Sequence, residues 1–299
     1  MARLTILLLC WNHERYLEQA IAGLAEQRKR DFNVVFLDNV SSDDSVGLAR
    51  RLLERSGLDF QMIENERPRT ISANLNAMLA RATGDLVTFH STDDWLAPRY
   101  VEAMIEAADR NPDAGWFSGG GWRFDDVTGT SEAIETAQFA GREDILSELK
   151  AGREPFFFAG HCYRRSELEA IGGWDGDQSI EDADLFFRLA QRTRHVIVHE
   201  KLFHYRKHAG GASSDPAYMI AALEKFLAKH RASFTRRQLR QRRSDTLRIY
   251  ASLHADRGET AAAIKAAFEA LVLMPTEGKK WRTLIYAWRS LGRRERGNR

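Results

Sequence analysis

The first ninety residues alternate between apolar runs and stretches with helical spacing. Leu4 to Leu9 is an apolar run of the kind expected for a strand covered on both faces. Glu14 to Gln27 repeats its apolar residues at Tyr16, Leu17, Ala20, Ile21 and Leu24, which is the spacing of one helix face. Phe32 to Leu37 reads as a second strand, and Ser41-Ser42-Asp43-Asp44 supplies N-cap residues for a helix running through Leu53. Phe60 to Ile63 is a third strand, a helix over Ser72 to Ala82 follows with Gly84 ending it, and Leu86 to Phe89 is a fourth strand. This order predicts an α/β domain with a mostly parallel central sheet flanked by helices.

The middle of the chain is less regular. Gly160-His161-Cys162-Tyr163-Arg164-Arg165 leads into a short helix over Ser166 to Ile171, and Gly172-Gly173-Trp174-Asp175 reads as a turn. A helix opens at Ile180-Glu181-Asp182-Ala183-Asp184, and two short strands are expected at Val196 to Val198 and Leu202 to Tyr205. From Pro216 onward the pattern is helical, with Gly258-Glu259 separating Thr246 to Ala255 from Thr260 to Leu273. That pair, rich in alanine and followed by Pro275, resembles a tetratricopeptide unit, of which about one and a half copies are present. Two domains are therefore expected, 1–215 with the sheet and 216–299 as an all-α appendage.

Composition narrows the classes. The 299 residues carry a formal charge of +2 and 43% hydrophobic residues, as a globular protein does. The two cysteines, Cys10 and Cys162, form no disulfide framework and fit a reducing compartment. No apolar run approaches the length of a membrane span. The opening Arg3 to Cys10 is read as a buried strand and not a signal peptide, because Asn12-His13-Glu14-Arg15 follows without a small-residue cleavage site. Lys229 to Arg243 and Arg289 to Arg299 are basic, which suits a solvated helix face or anionic lipid. Nucleic acid is set aside: Phe234 is the one stacking residue in the first stretch, and no recognised motif accompanies it.

The candidate chemistry lies at strand ends, where open α/β sheets gather ligands. Asp38-Asn39 follows the second strand and Thr92-Asp93-Asp94 the fourth. Adjacent carboxylates repel each other, and a divalent cation that also takes substrate phosphates relieves this. The alternative is a solvated turn that caps the helix after Pro98. A nicotinamide site is excluded, since no Gly-x-Gly-x-x-Gly follows the first strand and Gly119-Gly120-Gly121 comes much too late. Zinc is disfavoured too, because His204 and His208 lack a His-Glu-x-x-His context and His161 beside Cys162 offers too few ligands. Glu181, Asp182 and Asp184 at a helix start have a simple account as acids complementing the helix dipole. Trp174 suits either an apolar wall for a sugar ring or a place in the core.

Taken in order, Trp11-Asn12, Asp38, Asn74, Thr92-Asp93-Asp94, Gly172-Gly173-Trp174-Asp175, Glu181-Asp182-x-Asp184 and Tyr205-Arg206-x-His208 resemble the family 2 glycosyltransferases, inverting enzymes with the GT-A nucleotide-sugar-binding fold. The resemblance spans roughly Leu4 to Ser213. It implies a hexosyltransferase-type enzyme that uses Mn2+ or Mg2+ and a nucleotide-sugar donor, a UDP-sugar first of all. It assigns Asn12, Asp38, Asn39, Asn74 and Asp93 to the donor, Asp94 and His208 to the cation, Asp182 to the general base, and Trp174 with Glu181 to the acceptor or sugar pocket. It further implies a glycan or lipid-linked acceptor and a role in surface polysaccharide or glycolipid synthesis. With the reducing compartment that the cysteines fit, the basic helices suit a cytoplasmic enzyme held at the inner face of an anionic membrane.

The chain departs from the family pattern at several positions. Leu9-Cys10-Trp11-Asn12 stands where Pro-Thr-Tyr-Asn is usual, Asn39 replaces a second acid, and Val40 replaces a glycine. Ser91 stands where the metal motif often starts with Asp, and Ala73 replaces a frequent arginine. Asparagine donates as well as accepts, whereas a carboxylate only accepts, so the base of the donor stays open. A degraded transferase fold serving as a nucleotide, glycan or protein-binding scaffold is the second reading. A nucleotidyltransferase is the third, and the Glu181-Asp182-x-Asp184 segment points away from it.

Overall fold

The computed structural model describes residues 2–139, 144–153, 156–178, 180–207 and 216–289. They fall into two compact units, one of residues 1–146, 154–177 and 181–209, the other of 147–153, 178–180 and 210–299.

The first unit is built on one sheet. Its strands are β1 (Leu4–Cys10), β2 (Phe32–Asp38), β3 (Phe60–Glu64), β4 (Leu86–Ser91), β5 (Trp95–Leu96), β6 (Ala114–Asp125), β7 (Ser131–Ile134), β8 (His161–Arg164) and β9 (Arg194–Lys207). They lie in the order β3-β2-β1-β4-β8-β6-β9-β5, with β7 pairing β6. The pairs β3–β2, β2–β1, β1–β4 and β6–β9 are parallel, and β8 runs antiparallel between β4 and β6. Register brings Cys10 opposite Asp38 and Leu9 opposite Ser91, so β1, β2 and β4 end at one edge.

Burial on both faces accounts for the unbroken apolar run of β1. Leu4, Ile6 and Leu8 join Phe32, Val34 and Phe36 of β2 in one core, together with Leu17, Ile21 and Leu24 of α1 (Glu14–Ala25) and Leu52 and Leu53 of α2 (Ser45–Ser56). Tyr100, Val101 and Met104 of α4 (Tyr100–Arg110) complete that side. Leu7, Val35 and Leu37 alternate to the other face, also buried, where α3 (Ile71–Leu79) packs on β1 and β2.

The structure adds β5 to β8, which the pattern did not show, and it differs from the predicted elements in the third helix, at Gly84 and in the last strand. The third helix stops at Leu79, three residues before Ala82. Gly84 serves the approach of two backbones and not a helix stop: a Cβ there would lie 2.9 Å from the carbonyl oxygen of Arg3 and from the backbone nitrogen of Thr5. The two short strands expected near residues 196 and 202 are one strand, β9, carrying an irregularity where Val198 pairs Gly119 and Lys201 pairs Gly120. Short helices α5 (Ile145–Lys150) and α6 (Arg165–Ala170) and the longer α7 (Glu181–Ala190) complete the series up to β9.

In the second unit, α8 (Pro216–Lys229), α9 (Arg236–Asp256), α10 (Thr260–Leu273) and α11 (Gly278–Arg289) follow one another. Thr235 and Gln238 close a full capping box on α9. The buried contact between α9, α10 and α11 is made by small residues, Ala251, Ala255, Ala263, Ala266, Ala267 and Ala287, which lets the helices approach closely. No helix among the described residues is long and apolar enough to cross a membrane.

Candidate active site

β4 carries the apolar run to its end and then turns sharply. The amide of Asp94 donates to the carbonyl of Ser91 at 3.2 Å, and Thr92 donates through both its amide and its hydroxyl to the carbonyl of Leu9, each at 3.1 Å. The Thr92 hydroxyl also meets Nδ1 of His13 at 2.7 Å. The acid pair is thereby fastened to the end of β1. It does not cap the following helix, whose N-cap is Arg99 with no side-chain cap bond.

The last residues of β9 hold the turn from the other side. The amide of Arg206 donates to Oδ1 of Asp94 at 2.7 Å, and its Nε donates to the carbonyl of Asp93 at 2.8 Å. The rest of that guanidinium faces away from the acids. It donates to Asp126 at 2.6 Å and Gln19 at 2.5 Å, with the rings of Tyr16, Trp95 and Phe124 at 4.7, 5.0 and 5.1 Å. Arg206 is 6% exposed, so its charge is committed to this cage. The burial of Asp94 is only partly compensated: desolvation, and after it the neighbouring Asp93, push its carboxyl well above the usual carboxylate range despite the Arg206 amide and the Arg206 charge.

A cavity of about 230 Å³ opens beside this turn. Asp93, Asp94, His90, Tyr163, Tyr205 and Asp182 are among its walls. This is below the roughly 300–1,000 Å³ of a whole small-ligand site. Asp182 arrives from the first turn of α7. It is half-buried, and the protein around its carboxyl, with Glu181 next to it, raises its pKa to about 7. Burial also raises the Glu181 carboxyl, which does not line the cavity. Asp184 serves the helix instead. Fully buried, it accepts from Arg188 at 2.6 Å, and Arg188 also donates to the carbonyl of Ile171 at 2.9 Å.

Trp174 is 2% exposed and lies behind the cavity, edge-on to the Tyr163 ring at 6.3 Å. Its backbone is pinned by Asn76, which accepts from the Trp174 amide at 2.9 Å and donates to its carbonyl at 2.7 Å. Trp174 does not line the cavity, whereas Tyr163 does, with Tyr205 and Phe158 among the other rings. His208 lies outside the described residues.

The remaining donor candidates form a second cluster at the ends of β1 and β2. Asp38 accepts from the amide of Ser41 at 2.8 Å and from its hydroxyl at 2.5 Å. The amide of Asn12 donates to the Ser41 hydroxyl at 2.8 Å, and its side chain accepts from the Ser42 amide at 2.7 Å. Asn39 uses both ends of its amide: Oδ1 accepts from Asn65 and from the Arg69 amide, each at 2.9 Å, while Nδ2 donates to the Arg69 carbonyl at 3.1 Å. A carboxylate at position 39 could not make that last bond. Asn65 also donates to Asn74 at 2.8 Å, and the fully buried Asn74 keeps its own Nδ2 without a partner among the described residues.

Sequence reasoning missed His90, Tyr163 and Asn65. His90 is 5% exposed in the cavity wall, and burial lowers its pKa to about 4 in spite of Asp93, so the ring is neutral. A polar residue closing an apolar strand three positions before an acid pair was the available signal for it.

Among the described residues no three His, Cys, Asp or Glu side chains converge as a metal cage. The carboxylates still suit a hard cation that keeps most of its shell for phosphate and water, because Asp94 is buried beside Asp93 and its carboxyl stays raised even with the Arg206 charge nearby.

Comparisons with known proteins define the class. The family model described as glycosyl transferase family 2 matches residues 5–172, over half of the chain, and the chain belongs to that family. It is 26% identical over 215 residues to the Bacillus subtilis (strain 168) protein EpsH, named as a glycosyltransferase; the match takes in 68% of this chain and 60% of EpsH, under two thirds of that protein's length. It is 25% identical over 108 residues to the GalNAc(5)-diNAcBac-PP-undecaprenol beta-1,3-glucosyltransferase of Campylobacter jejuni, covering 36% of this chain and 35% of the relative. Among solved structures, Staphylococcus aureus TarS 1-349 in complex with UDP-GlcNAc superposes with a TM-score of 0.63 at 15% identity, over 98% of this chain and 92% of that one. The mannosyltransferase PcManGT from Pyrobaculum calidifontis, in complex with GDP-Man and Mn2+, gives 0.63 at 20% identity, over 97% and 86%. The fold is GT-A.

Proposed function

We propose that the protein is an inverting, metal-dependent glycosyltransferase of the hexosyl type, moving a sugar from a nucleotide-sugar donor to an acceptor hydroxyl in the synthesis of a surface polysaccharide or glycolipid. The observation that carries this reading is that Asp94 and Asp182, far apart in the sequence, wall one cavity, and burial raises both carboxyls above the usual carboxylate range. The nucleotide-sugars bound by TarS and PcManGT support the donor class, and the Mn2+ of PcManGT supports the cation.

Asp38, Asn12 and the Asn39–Asn65–Asn74 network hold the nucleotide end at the edge where β1 and β2 stop. Asp93 and Asp94 face the diphosphate. Asp94, with His208 as the second candidate ligand, would hold a divalent cation, which would supply Lewis-acid stabilisation of the charge on the departing diphosphate. The acceptor hydroxyl approaches the anomeric carbon from the face opposite the diphosphate, beside Asp182. As its oxygen bonds to that carbon, Asp182 takes its proton, the bond from carbon to diphosphate oxygen breaks, and the nucleoside diphosphate leaves with the electron pair. A base with pKa about 7 suits this role, being largely ionised just above neutrality yet basic enough to take a proton in flight. Tyr163 presents the ring next to that oxygen, with Trp174 supporting it from behind.

The test is Asp182→Asn. Transfer is expected to fall by about 10²–10⁴-fold while donor affinity stays within about threefold of the parent. Loss of donor binding in this variant, or retention of transfer, would overturn the assignment.

A further inference from the structure

Helix α11 carries its polar and apolar faces the wrong way round for a helix that packs on one side only. Its buried positions are Lys280, Thr283 and Ala287, with the ammonium of Lys280 fully enclosed against Asp245. Its large apolar residues point out: Trp281, Ile285 and Trp288 are 52%, 47% and 67% exposed. Their spacing of four and three places them on one stripe, opposite the buried one. The Trp281 indole donates to the carbonyl of Pro275 at 3.0 Å, which fixes its ring at the surface. Two tryptophans and an isoleucine aligned in water form a contiguous apolar strip, and such strips mark an interaction site.

The charge around the strip selects the partner. Gly278–Arg289 contains no acidic residue, and Arg282 and Arg289, both exposed, flank the stripe on one side, seven positions apart. Neither forms an ion pair among the described residues. Residues 290–299 add four arginines and one glutamate in sequence. A second copy docked face to face with its helix antiparallel would set these cations against their own equivalents. Tryptophans with a flanking row of arginines are instead the chemistry of a helix lying at a lipid–water interface.

We propose that the outer face of α11 docks on an anionic lipid bilayer, Trp281, Ile285 and Trp288 entering the headgroup boundary while Arg282 and Arg289 meet lipid phosphates. This surface stands independently of the glycosyl-transfer reading, and its test involves no turnover. The full chain is floated with vesicles of phosphatidylcholine alone and with about 30% phosphatidylglycerol, beside Trp281→Gln/Trp288→Gln and Arg282→Glu/Arg289→Glu. Binding to the anionic vesicles only, weakened by salt and at least tenfold lower in both variants, is expected. Circular dichroism and melting temperature should be unchanged, since all four positions are exposed. Absence of vesicle binding by the parent, or equal binding by the variants, overturns the proposal; the latter result would move lipid contact to the basic stretch 229–243. Self-association in sedimentation that the tryptophan variant abolishes, without vesicle binding, overturns it in favour of a second copy.

Discussion

Val40 holds φ at 64°, a conformation that a β-branched residue adopts only under constraint. It follows Asn39, whose amide clasps the 65–69 loop through three hydrogen bonds, so the strain sits beside the cluster proposed to hold the donor. Val40→Gly is expected to stabilise the fold by up to about 1 kcal/mol, read from chemical denaturation, the relief of strain being offset in part by the greater freedom of glycine when unfolded. Asp182 stores strain of another kind. Its pKa, raised from the ordinary 3.8 to about 7, means that the folded protein binds this proton more tightly than the unfolded chain does. Between those two values stability therefore falls as pH rises, and at pH 8 the ionised form is unfavourable in full. Asp182→Asn should accordingly raise stability at pH 8 by on the order of 1–3 kcal/mol and have little effect at pH 4; a variant no more stable at either pH would contradict the raised pKa. At this scale the sequence was partly readable. Asp182 and Asp94 stood out as acids at an element start and an element end. The neutral state of His90 and the placement of Trp174 behind Tyr163 depend on burial made by distant strands, which no local pattern encodes.

The triple glycine at Gly119-Gly120-Gly121 is explained by strand packing. In β6 these residues leave no room for a side chain against β9 and β7: a Cβ on Gly121 would lie 2.5 Å from the carbonyl of Phe203, and one on Gly120 2.7 Å from that of Ile134. Gly121→Ala should cost about 2–3 kcal/mol, whereas Gly176→Ala, with open space around it, should be near neutral; thermal melts of the pair distinguish packing from a general intolerance of alanine. The first four strands were legible because each carries its own apolar run. β6 and β8 were not, because β8 is only His161–Arg164 and β6 is half glycine and tryptophan, so neither shows a period. The irregularity in β9 likewise read as a break between two strands, since His199-Glu200-Lys201 is polar and the ladder skips His199 and Glu200 before it resumes at Lys201.

Across the whole molecule, register turns separate sequence clusters into one site edge. Parallel pairing of β2, β1 and β4 brings the ends at Asp38, Cys10 and Ser91 level, and the return of β9 beside β5 closes the acid turn from the far side. A reading based on motif order alone anticipated that edge, but not Arg206 as its clamp, since Arg206 entered only as part of the Tyr205-Arg206-x-His208 motif and the fold turns much of its guanidinium into a cage of rings. The measurement that bears most directly on the function is donor binding and hydrolysis with a panel of uridine, guanosine, cytidine and thymidine diphosphate sugars, with Mn2+ or Mg2+ and with chelator, beside Asp94→Ala. The expected result is metal-dependent binding of one donor with slow hydrolysis, both lost in the variant. Folded protein that binds none of the donors, or binds one equally well in chelator and in the variant, would contradict a metal-dependent transferase and leave the fold as a scaffold.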